Sequence, residues 1–122
     1  MRNRLYTYSL IALMGLLWVA CSKVPDGILS EKKMQSVQTD MFIAEAMVNL
    51  DPEKYPDQAH KEALFQSIFK KHGTSQAVYD SSLIWYGKRL DIYMKVIDRV
   101  VADLNNRQKA LGDIQASAAP VT

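Results

Sequence analysis

Residues 31–50 read Glu31-Lys-Lys-Met-Gln-Ser-Val-Gln-Thr-Asp-Met-Phe-Ile-Ala-Glu-Ala-Met-Val-Asn-Leu50, and the periodicity of this stretch decides the fold. Met34, Val37, Met41, Ala44 and Val48 recur at intervals of three and four, which lines them along one face of an α-helix. Phe42, Ile43, Ala46 and Leu50 form a second, nearly opposite stripe. A helix apolar on two faces is either sandwiched in a core or shared with a partner. Its boundaries are also written locally. Ser30 reads as the N-cap, Glu31 complements the positive N-terminal end, and Leu29 with Met34 has the spacing of a hydrophobic staple. Asp51-Pro52 stops the helix.

Outward from this helix the pattern repeats. Residues 51–57 hold two Pro and three acids and read as a loop. A second helix over about Gln58 to His72 puts Leu64, Phe65, Ile68 and Phe69 on one face and ends at Gly73. Ser75 caps a third, with Tyr79, Leu83 and Tyr86 on one side and its end near Gly87. The fourth runs from about Lys88 to Leu111, with Leu90, Tyr93, Ile97, Val100, Val101 and Leu104 along its inner face and Ile92 and Val96 off that stripe. No segment alternates as a strand does. The expected fold is all-α, a small bundle of about four helices over residues 30–111, followed by a flexible tail over residues 112–122. About 100 residues can bury roughly two thirds of the chain's surface, enough for one core.

The start of the chain differs from the rest. Arg2 and Arg4 precede an uncharged apolar run from Leu10 to Ala20 that ends at Cys21, too short to span a bilayer, which takes ~20 residues. A charged segment, an apolar run and a small residue before a break match a secretory signal peptide over residues 1–20. A signal ending in Ala-Cys resembles the bacterial lipoprotein type. That resemblance implies cleavage before Cys21, lipidation of its thiol and palmitate on the new N-terminus, with residues 21–29 as lipidated Cys and tether. Three acyl chains would hold permanently where one holds marginally. Ser22, Lys23 and Val24 carry neither the Asp of an inner-membrane retention signal nor the acids of a surface-export signal. By the same resemblance the domain sits in the cell envelope, as an outer-membrane lipoprotein on the periplasmic side, with surface exposure left open.

The 122 residues carry fifteen basic and thirteen acidic side chains, and without Arg2 and Arg4 the charges balance. Neutrality argues against a nucleic-acid partner, and a single Cys excludes an intrachain disulfide or a cysteine-based metal site. There is no phosphate-cradling Gly loop and no paired-His motif, so the sequence implies neither a cofactor nor a metal.

Several pieces in order carry a wider resemblance: Ile28-Leu29, Asp40 with Ala44-Glu45-Ala46, Phe69 with His72-Gly73, Tyr79-Asp80-Ser81-Ser82-Leu83 with Tyr86, and Ile92-Tyr93 with Val96. Over about residues 24–104 they resemble the Bacteroidota lipoprotein family catalogued as domain-of-unknown-function family 4296. That family has no assigned reaction, so the resemblance implies fold and location only.

Among ionisable residues Glu45 stands out, because seven of the eight positions from Met41 to Val48 are apolar. It reads either as a functional acid in a cleft or, if buried, as a carboxylate paired with a group of a neighbouring helix, and Asp40 and Asp80 carry the same two readings. Asp40 and Glu45 fall about 140° apart around the helix and cannot converge from it alone. His60 and His72 lie about 18 Å apart along one helix and cannot share a metal. His72 reads as a packed side chain at a helix C-terminus, His60 as a surface residue. Neither Ser81 nor Ser82 has a His at an activating spacing, and Ser82 reads as small packing beside the tyrosines. Tyr79, Trp85, Tyr86 and Tyr93 concentrate in the third and fourth helices, as core or as the aromatic part of an interaction surface.

The resulting expectation is a lipid-anchored helical protein of unassigned activity, a protein-interaction or accessory module for another envelope protein. The alternative is a small periplasmic enzyme or ligand-binding protein using Glu45, Asp80 and tyrosine hydroxyls around an interhelical polar pocket. Metabolic labelling with palmitate checks the anchor: the wild-type chain takes up label and Cys21→Ala takes up none. Label retained by that variant would refute acylation at Cys21.

Overall fold

The computed structural model describes Tyr8 and residues 24–118. The signal peptide over 1–20 and the lipidation of Cys21 lie outside the described residues. Four helices make up the domain: α1 Glu31–Leu50, α2 Gln58–Lys71, α3 Gln76–Gly87 and α4 Leu90–Ala118. The domain is all-α, and among the described residues there is no strand.

Local chemistry sets the boundaries. The Ser30, Asp57 and Ser75 side chains accept the backbone N–H groups of Lys33, His60 and Val78, so the N-terminus of each of the first three helices has a capped donor. At the end of α2, Thr74 N–H donates to Phe69 and Gly73 N–H to Lys70, with Gly73 at φ +63°. This pair of bonds is a Schellman closure, which needs the left-handed backbone that glycine adopts without strain.

α1 is the central element. Its main contacts are with α4 and then α2, while α3 packs on α4. Met34, Val37 and Ala44 are buried along the expected stripe, together with Phe69, Tyr79, Tyr86, Val96 and Val100 from the other helices. The second stripe of α1 stays largely outside, with Phe42 and Leu50 exposed.

α4 departs from expectation in two ways. Val96 and Val100 are fully buried and Ile92 and Tyr93 pack beside them, whereas Leu90 and Val101, expected inside, are 64% and 49% exposed. The helix is apolar over more than half its circumference, and the single layer of α1 and α3 covers only the Val96 part of that arc. Second, α4 continues seven residues past Leu111, so the tail expected over 112–122 is helical as far as Ala118. Gly112 lowers helix propensity but does not stop an established helix, which propagates more easily than it nucleates.

The tether is stitched to α3. Leu29 N–H donates to Ser82 Oγ at 2.9 Å, and the Tyr86 hydroxyl donates to the Leu29 carbonyl at 2.8 Å. Ser82 in turn donates to the Val78 carbonyl at 2.7 Å. Both side chains are fully buried, so neither backbone group of Leu29 has water as an alternative. Burial, followed by the Glu31 charge, pushes the Tyr86 hydroxyl up to about 12. Tyr86→Phe should therefore cost about 1–2 kcal/mol in denaturant unfolding by orphaning the Leu29 carbonyl. Ser82→Ala should speed hydrogen exchange at the Leu29 amide, and unchanged protection there would show that the stitch is dispensable.

Candidate functional site

Three parts of the surface hold the residues singled out from the sequence. The first centres on Asp40, a carboxylate only 8% exposed on α1. Its Oδ2 accepts from Lys71 Nζ at 2.8 Å and meets His72 Nε2 at 2.7 Å; its Oδ1 accepts from Arg107 Nη1 at 3.2 Å. An ionised carboxylate only accepts, so Nε2 of His72 carries the proton it donates. Burial would raise the Asp40 carboxyl, but hydrogen bonds from Lys71 and His72, the Lys71 charge and the Arg107 hydrogen bond outweigh it and hold the group below the ordinary aspartate range. Arg107 also reaches Asp103 at 3.4 Å, and Lys33 Nζ caps the His72 carbonyl at 2.8 Å. His72, expected as a packed helix-end residue, is that and the link between the α2 terminus and α1. A trough of about 300 Å³ adjoins the cluster, lined by Ile43, Ala44, Met47, Leu64 and Ile68. The charged groups at its polar end, Asp40, Lys71 and Arg107, are already bonded to one another.

The second part is a cleft of about 230 Å³ between Met41, Phe65, Phe69 and the start of α3, with Glu62, Tyr79 and Asp80 on its walls. Ligand sites commonly run to roughly 300–1,000 Å³. Burial pushes the Tyr79 hydroxyl up to about 12, and Tyr93, Glu45 and Asp80 add to the rise. Glu45, Asp80 and Tyr79 thus lie within electrostatic reach of one another, as the pocket reading requires. Glu45 is nevertheless exposed, not buried, and among the described residues no hydrogen bond or ion pair engages it or Asp80. The expectation that burial would force a partner on Glu45 fails because α3 and α4 leave its side of α1 open to water.

The aromatic residues divide. Tyr86 and Tyr79 belong to the core, Tyr79 against Phe69 at 5.4 Å between centroids. Trp85 stands edge-on to Tyr86 at 4.9 Å and carries Arg89 over its face at 4.1 Å. Tyr93 is half-buried, 6.0 Å from Tyr86, and its hydroxyl accepts from the buried amide of Gln38. The cluster is mainly packing and offers a partner only its Trp85 and Tyr93 margin. Ser81 is exposed with no histidine at hand, and His60 is an exposed residue bonded to its own N-cap, Asp57.

The third part was not singled out as a site from the sequence, because Leu90, Ile97, Val101 and Leu104 read as core. Leu90, Met94, Val101 and Leu111 are 64, 53, 49 and 61% exposed, with half-buried Ile97 and Leu104 between them on α4. They form one apolar row, interrupted only by Gln108 between Leu104 and Leu111. From Asn105 onward every side chain described is exposed, and only Arg107 reaches back to the bundle. These fourteen residues make an arm about 21 Å long. No helix among the described residues is long and apolar enough to cross a membrane, and no group of three His, Cys, Asp or Glu side chains there could hold a metal ion.

Asp40→Asn should lower stability by about 1–3 kcal/mol, less than for a wholly buried pair because Lys71 and Arg107 can turn to water. The sign with pH follows from the depressed pKa. The contribution is complete above the ordinary aspartate range and is lost as pH falls through the lower folded value. Urea unfolding of both proteins from pH 7 to pH 2 should therefore show their difference shrinking on the acid side; a constant difference would mean that the charge of Asp40 does not matter.

Comparison with curated proteins and with solved structures gives no match for this chain. A family profile does match, over residues 25–110, from the Pro25 turn into the α4 arm. The chain belongs to the family described as Domain of unknown function (DUF4296).

Proposed function

We propose that the protein is a lipid-anchored docking module of the bacterial cell envelope, of the kind found in Bacteroidota, held on the periplasmic side of the outer membrane. The single observation that carries the docking part is the apolar row of α4 from Leu90 to Leu111, exposed along one side of the longest helix among the described residues. Exposed apolar rows of this extent are the usual mark of an interaction surface. The anchor part rests on Arg2, Arg4, the apolar run to Ala20 and Cys21. With Leu29 stitched to α3, seven residues separate it from the acylated Cys21, and the eight steps between them span at most about 28 Å. The tether thus keeps the domain close to the membrane while α4 stays free to meet a partner.

A small enzyme or ligand-binding protein is the second reading, favoured by Glu45 and Asp80 acting on Tyr79 across a cleft. It has less support, since the carboxylates are exposed and nothing in the cleft aligns a nucleophile with a base.

Photocrosslinking in living cells tests the docking reading. A photoreactive residue at Met94 or Val101 should give discrete heavier adducts, and one at the exposed loop residue Glu53 should give none. Absence of adducts from every position along α4 would refute it.

A further inference from the structure

Carboxylates, a buried phenol and an aromatic floor meet in the cleft between α1, α2 and the start of α3. Glu62 stands on its α2 wall and Asp80 on its α3 wall, and no Lys, Arg or His side chain lines it. Among the described residues neither carboxylate forms an ion pair. The helices around the cleft are poor in cations on this side. α1 has no basic residue after Lys33 and α3 has none at all, while on α2 Lys61 and Lys70 project about a quarter turn to either side of the Glu62, Phe65 and Phe69 wall. Two negative charges therefore face the cleft without a counter-charge from the chain.

Tyr79 adds an independent observation. It is only 9% exposed, its ring lies against Phe69 at 5.4 Å between centroids, and it lines the cleft. Among the described residues its hydroxyl has no hydrogen-bond partner, an uncommon state for a polar group so deeply set. Burial, followed by Tyr93, Glu45 and Asp80, pushes that hydroxyl up to about 12. It is thus neutral at physiological pH, with an oxygen ready to accept and a proton ready to give. Close by, Gln66 Nε2 donates to Gln76 Oε1 at 3.0 Å, which leaves Gln66 Oε1 as a further acceptor.

We propose that the cleft binds an organic ammonium group on a short alkyl stem, with the stem against Met41, Phe65 and Phe69 and the ammonium held by Glu62, Asp80 and the Tyr79 hydroxyl. An ammonium has three N–H donors and no acceptor, which matches walls that offer acceptors. An aromatic floor favours a cation over a neutral head of the same shape. A carboxylate or phosphate would meet like charge at both walls. The volume, about 230 Å³, falls short of the roughly 300–1,000 Å³ usual for larger ligands and suits a single stem. The inference rests on the ligand-binding reading of the cleft, whose ligand class it names, and is independent of docking on α4.

Chemical-shift titration of the full chain in dodecyl maltoside micelles tests it. The probes are n-butylammonium, the neutral n-butanol and the anionic butyrate. With butylammonium the Phe65, Gln66 and Tyr79 amides should shift and saturate with a Kd of about 1 mM. Glu62→Gln combined with Asp80→Asn, both at exposed positions, should weaken binding about fivefold. Tyr79→Phe should weaken it about threefold. Because the lost hydroxyl has no internal partner, that variant should melt within about 2 °C of the wild type, which separates lost binding from lost fold. N-acetyl-lysine methylamide distinguishes two sources of the same chemistry. Binding as tight as that of butylammonium supports a lysine of a partner protein as occupant, and weaker binding supports a free amine. Butanol binding as tightly as butylammonium would overturn the ammonium class and leave a ligand cleft standing. Undiminished affinity in the double carboxylate variant would place the cation elsewhere on the chain and overturn the proposal. No shift with any probe would overturn both the proposal and the cleft reading, with the α4 crosslinks unaffected.

Discussion

A carboxylate buried at the centre of a small bundle has to be met by donors, and Asp40 is met from two other helices. Lys71 and His72 arrive from the end of α2, Arg107 from the base of the α4 arm. Neither the Lys71 nor the Arg107 contact contributes much by itself, since these side chains are 65% and 46% exposed. Their joint effect is positional. The α2 terminus must end where it does for His72 to face Asp40, which is why the Schellman closure at Gly73 and the Lys33 cap on the His72 carbonyl matter beyond their local energy. A charge left unpaired at this depth would cost more than the pairs gain, so the three helices have one arrangement that satisfies it.

The opposite end of the domain is ordered by backbone rather than charge. Ser82 and Tyr86 hold both polar groups of Leu29, while the Leu29 side chain itself is buried in the core beside Met34. The chain therefore enters the bundle at a point set by α3, fifty-three residues and more further along the sequence. Between these two fastenings the core is modest, and it leaves an apolar row on α4 and the outer stripe of α1 in water. The first keeps a heptad spacing with Gln108 as its one polar position; the second is broken by the exposed carboxylate of Glu45 and by Asn49. That difference is why the proposed docking falls on α4.

What the sequence made legible is what depends on neighbours within a turn or two. Caps, staples and breakers at Ser30, Asp51-Pro52, Gly73 and Ser75 act over a few residues, and the helices begin and end close to them. The inward stripe of α1 and the packing role of Ser82 were likewise readable. Glu45 was misread because an apolar neighbourhood in sequence is not burial in space. Its flanking residues face two directions, and only one of these has a helix against it. The Asp40 cluster was half visible: Asp40 and His72 each stood out, but their meeting depends on how α2 folds back on α1, thirty-two residues away.

The sequence by itself determined the helices, their order and the signal-like start of the chain, because these follow from periodicity, capping and composition along a continuous stretch. Only the tertiary structure decided which part of the α4 apolar arc is core. Periodicity placed Leu90, Tyr93, Ile97, Val100, Val101 and Leu104 inward and left Ile92 and Val96 off that stripe, yet Val96 is fully buried and Leu90 and Val101 are exposed. The choice of Val96 and Val100 over Leu90 and Val101 is made by where α1 and α3 come to rest, held there by Asp40 and by the Leu29 stitch. What remains outside is surface because two short helices cannot surround a long one.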